Sequence, residues 1–420
     1  MQIRRTLRTS MPRAAWIVAI VALLLSTALG AQPIATGLAS PAGLGTTYAG
    51  NLLVPQAGTG SHDGSVELLT TWGQRHPLVS GLPSAVPPQD AVSGPTAVTA
   101  NLSTIYVLIG EGDALGPSIP PTQFPNADGV SSPIFSSLLE MHFQPVPDAI
   151  REGFTLSGED IGTLADGHTA HLVNDAGEQV WIRVLSDFRD FVPDPFVSVR
   201  QSNPFSLEWV GGLHPEDYEE FAIPGASAAD LDFLAQLMPD SPIGRRLRER
   251  SMIYVVDSGM NALRSVDVLH GRSRIVARFP PVPNPLFPNL GGPVTDAVPF
   301  GVEQRDGKVL VSLFTGFPFN PGMSSIVEFD PVTGAVTPVL EGLTLTGEML
   351  AMGDDLYVVE FSADLLGGAP GRLLRFGPGS SEPETVAAPL IGPVGLVSAG
   401  SEGDLFVSEI FTGLVKRIQP

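Results

Sequence analysis

Five polar residues recur at one point of a repeating pattern: Gln56, Glu111, Asp257, Glu360 and Glu409 each close an alternating apolar run just ahead of a turn. Carboxylates carried by separate repeats and gathered at one place form a hard oxygen donor set, which suits Ca2+. A calcium ion on Glu111, Asp257, Glu360 and Glu409 would polarise an ester or lactone carbonyl or activate water, the chemistry of a metal-dependent hydrolase of esterase or lactonase type. Such a reaction also needs a base, and no histidine stands at the same point of the pattern. A polar residue at a strand end has a second use, accepting N–H groups of the turn beside it. These positions therefore read as metal ligands or as turn anchors, and no catalytic residue is assigned.

Other reaction chemistries are poorly served. The chain has no cysteine, so disulfides and thiolate chemistry are excluded and any metal must be held by oxygen or imidazole. His168 and His171 are spaced for a helical face but lack the glutamate of a zinc-protease motif, and they read as loop histidines. His62 beside Asp63 falls in a turn near one end of the pattern. No Gly-x-Ser-x-Gly elbow occurs, and Ser258 ahead of Gly259 belongs to a turn. Phosphate-binding glycine patterns are missing; 46 glycines and 40 prolines are explained by turns. Phe287, Phe314, Phe317 and Phe319 lie in proline-containing loops, where they either line a surface for a ligand or pack between sheets.

The elements that must position these residues follow a degenerate repeat of roughly 45 residues. Each copy opens with Pro-x-(Gly/Ser)-(Leu/Val), continues into an alternating run, turns, and enters a second run. Pro41, Pro95, Pro204, Pro299 and Pro393 open five copies, and Gly347-Glu-Met-Leu350 opens another with the proline replaced. Alternation of Val, Leu and Tyr between Gly, Pro and Asp turns predicts short antiparallel strands. The fold class is therefore all-β, a six-bladed β-propeller. A fourth strand follows several copies, as at Arg75 to Ser80 and Glu384 to Ala388, but the last copy ends without one. Pro33 to Leu38 precedes the first copy and is expected to complete the last blade, closing the ring. Two insertions interrupt the period, at about 144–201 and 212–250. The first is expected to supply an outer strand at 179–184, with the remainder, including Val192-Pro-Asp-Pro-Phe196, as loop. The second carries one short helix from Ser227 to Met238.

Residues 1–13 hold four arginines and no acid, Ala14 to Leu25 is continuously apolar, and small residues follow to Gly30. This is the order of a secretion signal cleaved after Gly30 or Ala31, with an uncleaved anchor as the alternative, and it predicts a secreted or periplasmic protein with no membrane span after cleavage. A formal net charge of -21 repels phosphate backbones, so nucleic acid is not an expected partner.

Gly58-Thr-Gly60, Gly64-Ser-Val66, Val79-Ser-Gly-Leu-Pro-Ser84, Ser93-Gly-Pro-Thr-Ala-Val98, Tyr106-Val-Leu-Ile-Gly110, Ser202-Asn-Pro-Phe-Ser-Leu207 and Tyr254-Val-Val-Asp-Ser-Gly259 occur in an order that resembles the ScyD/ScyE family, six-bladed propellers related to NHL-repeat proteins. The likeness runs along nearly the whole chain after the leader, apart from the two insertions. It implies a secreted propeller and supplies no catalytic residues. The expected role is a binding scaffold for a small molecule or an extracytoplasmic protein, with the hydrolase as the alternative and Ca2+ as the one cofactor in view.

Overall fold

Six sheets stand around a common axis, each built from one copy of the repeat. The computed structural model describes residues 30–87, 91–116, 123–194, 198–224, 226–400 and 403–419. The arginine-rich and apolar leader lies outside the described residues. Blade 1 comprises Gly45–Thr46, Leu52–Gln56, Gly64–Leu69 and Arg75–Leu82, and blade 2 comprises Pro95–Asn101, Thr104–Ile109, Ser137–Gln144 and Gln179–Asp187. Blade 3 is Pro204–Val210, Met252–Asp257, Ala262–Asp267 and Ser273–Arg278; blade 4 is Pro299–Arg305, Lys308–Leu313, Ser324–Phe329 and Val336–Leu343. Blade 5 is Thr346–Met352, Asp355–Glu360, Gly371–Phe376 and Glu384–Leu390. Blade 6 is Pro393–Ala399, Asp404–Glu409, Leu414–Ile418 and, outermost, Ala31–Ala35.

The first strand of each blade lies nearest the axis and contacts its counterparts in the neighbouring blades. Second strands are buried on both faces, as in Leu52–Gln56 and Thr104–Ile109, because blades pack against one another face to face. Crowding at the axis explains the small third residue of the repeat. A Cβ on Gly395 would lie 2.8 Å from the Ala42 carbonyl and from the Leu44 amide, and one on Gly43 would lie 2.9 Å from the Thr96 carbonyl. Serine hydroxyls stitch neighbouring blades: Ser258 donates to the Pro299 carbonyl at 2.6 Å and Ser312 to that of Gly347 at 2.8 Å.

The ring closes as the strand pattern predicts. Ala31 pairs with Ile418, Gln32 with Arg417 and Pro33 with Lys416, so the first described strand covers the edge of the last blade. The upper end of the ring is defined as the one where second strands finish, and the lower end as the one where first strands finish.

Both insertions depart from their expected form. The segment after Gln144 holds a helix, Gly158–Ala165, and adds strands to two blades: Ala170–Val173 pairs outside Gln179–Asp187, and Phe154–Thr155 runs parallel to blade 1's outer strand at Val79 and Ser80. Phe191–Asp194 pairs with Ser198–Gln201 as a hairpin rather than forming a loop. The second insertion holds three helices, Pro215–Glu220, Ala228–Leu237 and Pro242–Glu249, where one was expected. Ser227 does cap the middle one, accepting from the Asp230 amide while Asp230 accepts from the Ser227 amide. The other two have no long apolar period. Asp217, buried between Arg246 and Arg250, ties the first to the third.

Candidate functional site

The strand-end residues Asp257, Glu360 and Glu409 are placed by strand register and held by nearby backbone. Strand register places Asp257 opposite Pro204, Glu360 opposite Thr346 and Glu409 opposite Pro393. The corresponding partner of Pro95 is Ile109, so Glu111 sits two residues beyond the repeated position, and in blade 4 the position holds Leu313. Asp257, Glu360 and Glu409 are each committed to backbone and a cation close to their own blade, whereas Glu111 Oε2 is buried without a hydrogen-bond partner. Asp257 accepts from the Asn203 amide at 2.9 Å, the Ser202 hydroxyl at 2.7 Å and Arg264 Nε at 2.8 Å. Glu360 accepts from the Thr344 amide at 2.8 Å and Arg372 Nε at 2.6 Å. Glu409 accepts from the Ile391 amide at 2.8 Å and Lys416 Nζ at 2.7 Å. Gln56 accepts from the Ala39 amide at 2.7 Å. In Asp257, Glu360 and Glu409 a carboxylate at the end of the second strand holds the backbone as it enters the blade, and an internal cation balances the charge. Among the described residues no three His, Asp or Glu side chains converge as metal ligands.

The axis carries a different acidic group, which sequence reading missed. Glu208, Glu303 and Glu348 come from the first strands of blades 3, 4 and 5, with Leu207, Val302 and Met349 beside them facing the interblade core. Burial pushes Glu348 up to about 8, helped by Glu303 and opposed by a Ser206 hydrogen bond. Burial likewise pushes Glu303 up to about 7, opposed by the Ala351 amide, and holds Glu208 well above the usual range with Glu303 and Glu348 adding to it. Above them a phenylalanine cluster fills the upper end: Phe300 lies 4.2 Å from Phe205 and 5.1 Å from Phe314, with Leu345 and Val394 buried among them. Phe314 is therefore core, whereas Phe287 and Phe317 remain half exposed. Glu111 is also raised, to about 8, by burial and then by Asp257.

A polar groove of about 820 Å3 opens at the lower outer edge between blade 2 and the helical insertion. Its origin is the alternation of blade 2. Leu139, Met141, Phe143, Val180 and Ile182 face the core shared with blade 1, which turns Glu140, His142, Trp181 and Arg183 toward blade 3. Nearer the upper end this face is apolar and closed by Tyr106, Leu108, Leu138 and Leu185. Lower down the insertion joins Leu269 and His270 of blade 3 in the opposing wall, supplying Asp240, Arg245, Arg248 and Glu249.

Register aligns one row of side chains across the sheet: Thr104 opposite His142, His142 opposite Trp181, and Trp181 opposite His171. The His171 ring stacks on Trp181 at 4.8 Å, nearly parallel, and His142 flanks the indole at 6.0 Å. His171 is thus a strand residue rather than a loop histidine, while His168 follows the helix of the first insertion. His142 Nδ1 lies 3.3 Å from the Ser103 hydroxyl and 3.2 Å from that of Thr104. Burial holds its imidazole below the ordinary histidine value, against the pull of Asp240 and Glu140. His62 lies elsewhere, in the upper turn of blade 1, where Asp63 is taken up by Thr59. The strand pattern at 179–184 was the available signal for the groove wall; its other wall depends on where the insertion folds back.

No protein-family model matches the chain, and no curated protein matches it. Solved structures to which it is similar include an oxidoreductase of Thermus thermophilus described as a glucose dehydrogenase, at 12% identity and TM-score 0.46, covering 93% of this chain and 100% of that one. Others are a virginiamycin B lyase from Staphylococcus aureus with quinupristin, at 11% identity and TM-score 0.40 over 93% and 99%, and a PQQ-bound aldose sugar dehydrogenase from Streptomyces coelicolor, at 11% and 0.40 over 92% and 97%. Likenesses this distant extend none of those activities to this chain.

Proposed function

We propose that this chain is an exported propeller of the ScyD/ScyE type that acts as a binding scaffold, with its ligand site in the groove between blade 2 and the helical insertion. The observation that carries the reading is the polar row on a sheet face that the neighbouring blade would otherwise cover: His142, Trp181, Glu140 and Arg183 open onto a concave space instead of a core. Its volume lies in the range of small-molecule sites, roughly 300–1,000 Å3. Both walls present planar hydrogen-bonding groups, which suits a polar small molecule rather than an apolar one. Export rests on the leader and its order of charged, apolar and small residues.

The test is a thermal-shift screen of the purified chain against polar metabolites, followed by titration of each hit against His142→Ala and Trp181→Ala. Ligands of the groove raise the melting temperature by mass action and lose about ten-fold or more in affinity in both variants. Hits that bind both variants as tightly as the parent protein would show that the groove is not the site.

A further inference from the structure

The inner end of the groove holds one more positive charge than it can neutralise. Arg183 Nε donates to Glu140 Oε2 at 2.6 Å, and Arg248 Nη2 lies 3.0 Å from Glu140 Oε1 while also donating to the Val268 carbonyl at 3.2 Å. Two guanidinium groups thus share one carboxylate. Side-chain exposure is 7% for Glu140, 12% for Arg248 and 38% for Arg183, so the surplus is partly withdrawn from water and faces the groove through Arg183. The other lining charges do not remove it. Glu249 stands at the exposed rim and shares Arg246 with Asp217 and Glu220, and Asp240 and Arg245 are both exposed, without an ion pair among the described residues, and offset each other. In a chain of net charge -21, the trio at this inner end carries the opposite sign.

We propose that the groove takes a polar small molecule bearing a single carboxylate, received by Arg183 and Arg248; this rests on the groove being the binding site. A half-buried charge is costly until paired, and the planar guanidinium fork matches a carboxylate bidentately. One added carboxylate completes a network of two cations and two anions, whereas a phosphate dianion overshoots it. Trp181 is flanked by His171 and His142, which disfavours stacking of a flat aromatic ligand. The ligand's remaining contacts are hydrogen bonds, to groups such as His142, Gln144 and Thr169. A hydroxylated acid of sugar size satisfies all of these conditions.

Calorimetric titration of the full chain with D-glucuronate and D-gluconate, beside D-glucose and inorganic phosphate, tests the class. The two acids are expected to bind about ten-fold or more tightly than glucose or phosphate. Arg183→Gln weakens the acids, while Glu140→Gln, which leaves two unpaired guanidinium groups, strengthens them. A purely structural role of the trio would move both variants the same way. Melting curves establish that each variant is folded, and Asp240→Asn, which adds the same increment of charge at the exposed rim, replaces Glu140→Gln if that variant fails. Glucose or phosphate binding as tightly as the acids, with loss in His142→Ala, overturns the carboxylate class and leaves the groove as the site. Acid binding that Arg183→Gln and His142→Ala leave unchanged, or no binding of any of the four probes, overturns the proposal, and indifference to His142→Ala counts against the groove as well.

Discussion

Register puts Thr346 rather than Gly347 in the proline position of blade 5, so Glu348 occupies the third position of its repeat, where the other blades carry Gly43, Ala97, Ser206, Gly301 and Gly395. It replaces a small residue in a crowded wall, and Glu303 and Glu208 stand close enough to couple with it. Because the folded-state values of Glu303 and Glu348 are raised to about 7 and about 8, the native chain holds protons that the unfolded chain releases above its ordinary carboxylate value. Their stabilising contribution is fully present below about pH 4.5 and is lost as pH rises through 7 to 8. Melting temperature is therefore expected to fall between about pH 5 and pH 8 and to level off above that, and Glu348→Gln should flatten that fall while changing little near pH 4.5. An equally steep profile in the variant would assign the pH dependence to other groups. Glu111, raised to about 8, adds to the same fall, whereas Asp257, Glu360 and Glu409 have Arg264, Arg372 and Lys416 as counterions.

At the scale of elements, the repeat's strands follow from alternation, and the register then decides what alternation alone cannot. A run such as Thr104 to Gly110 specifies a buried strand, but whether Ile109 or Glu111 matches Asp257 depends on the partner opposite, which is Pro95. The helical insertion is a second case. Ser227 with Asp230 marks the start of Ala228–Leu237 by a capping box, a local signal that needs no tertiary contact. The helix Pro242–Glu249, which brings Arg245 and Arg248 to the groove, is held by Asp217 and by packing of Ile243 and Leu247, contacts made across the insertion. Ser227→Ala is expected to cost about 1 kcal/mol of helix stability. Hydrogen exchange should quicken about five-fold within residues 228–237 with the global melting temperature nearly unchanged. A comparable loss of protection in the blade strands would mean that the insertion and the ring unfold together.

At the scale of the molecule, closure depends on a strand immediately after the leader. Cleavage after Gly30 or Ala31 would place the new terminus directly on Ala31–Ala35, which covers the open edge of blade 6. A chain trimmed to begin at residue 36 is expected to melt several degrees lower and to aggregate through the exposed Leu414–Ile418 edge; an unchanged melt would show that the other interblade contacts suffice. The amino-acid sequence by itself determined the number of blades, most strand positions and the closing strand, because period-2 alternation and turn residues act over a few neighbours. Only the tertiary structure decided the chemistry. Strand pairing gave Asp257, Glu360 and Glu409 their internal partners and set Glu208, Glu303 and Glu348 along one axis. Insertion packing laid Arg248 against Glu140 across 108 residues of chain. Such encounters depend on three-dimensional distance, which no local spacing of residue types encodes.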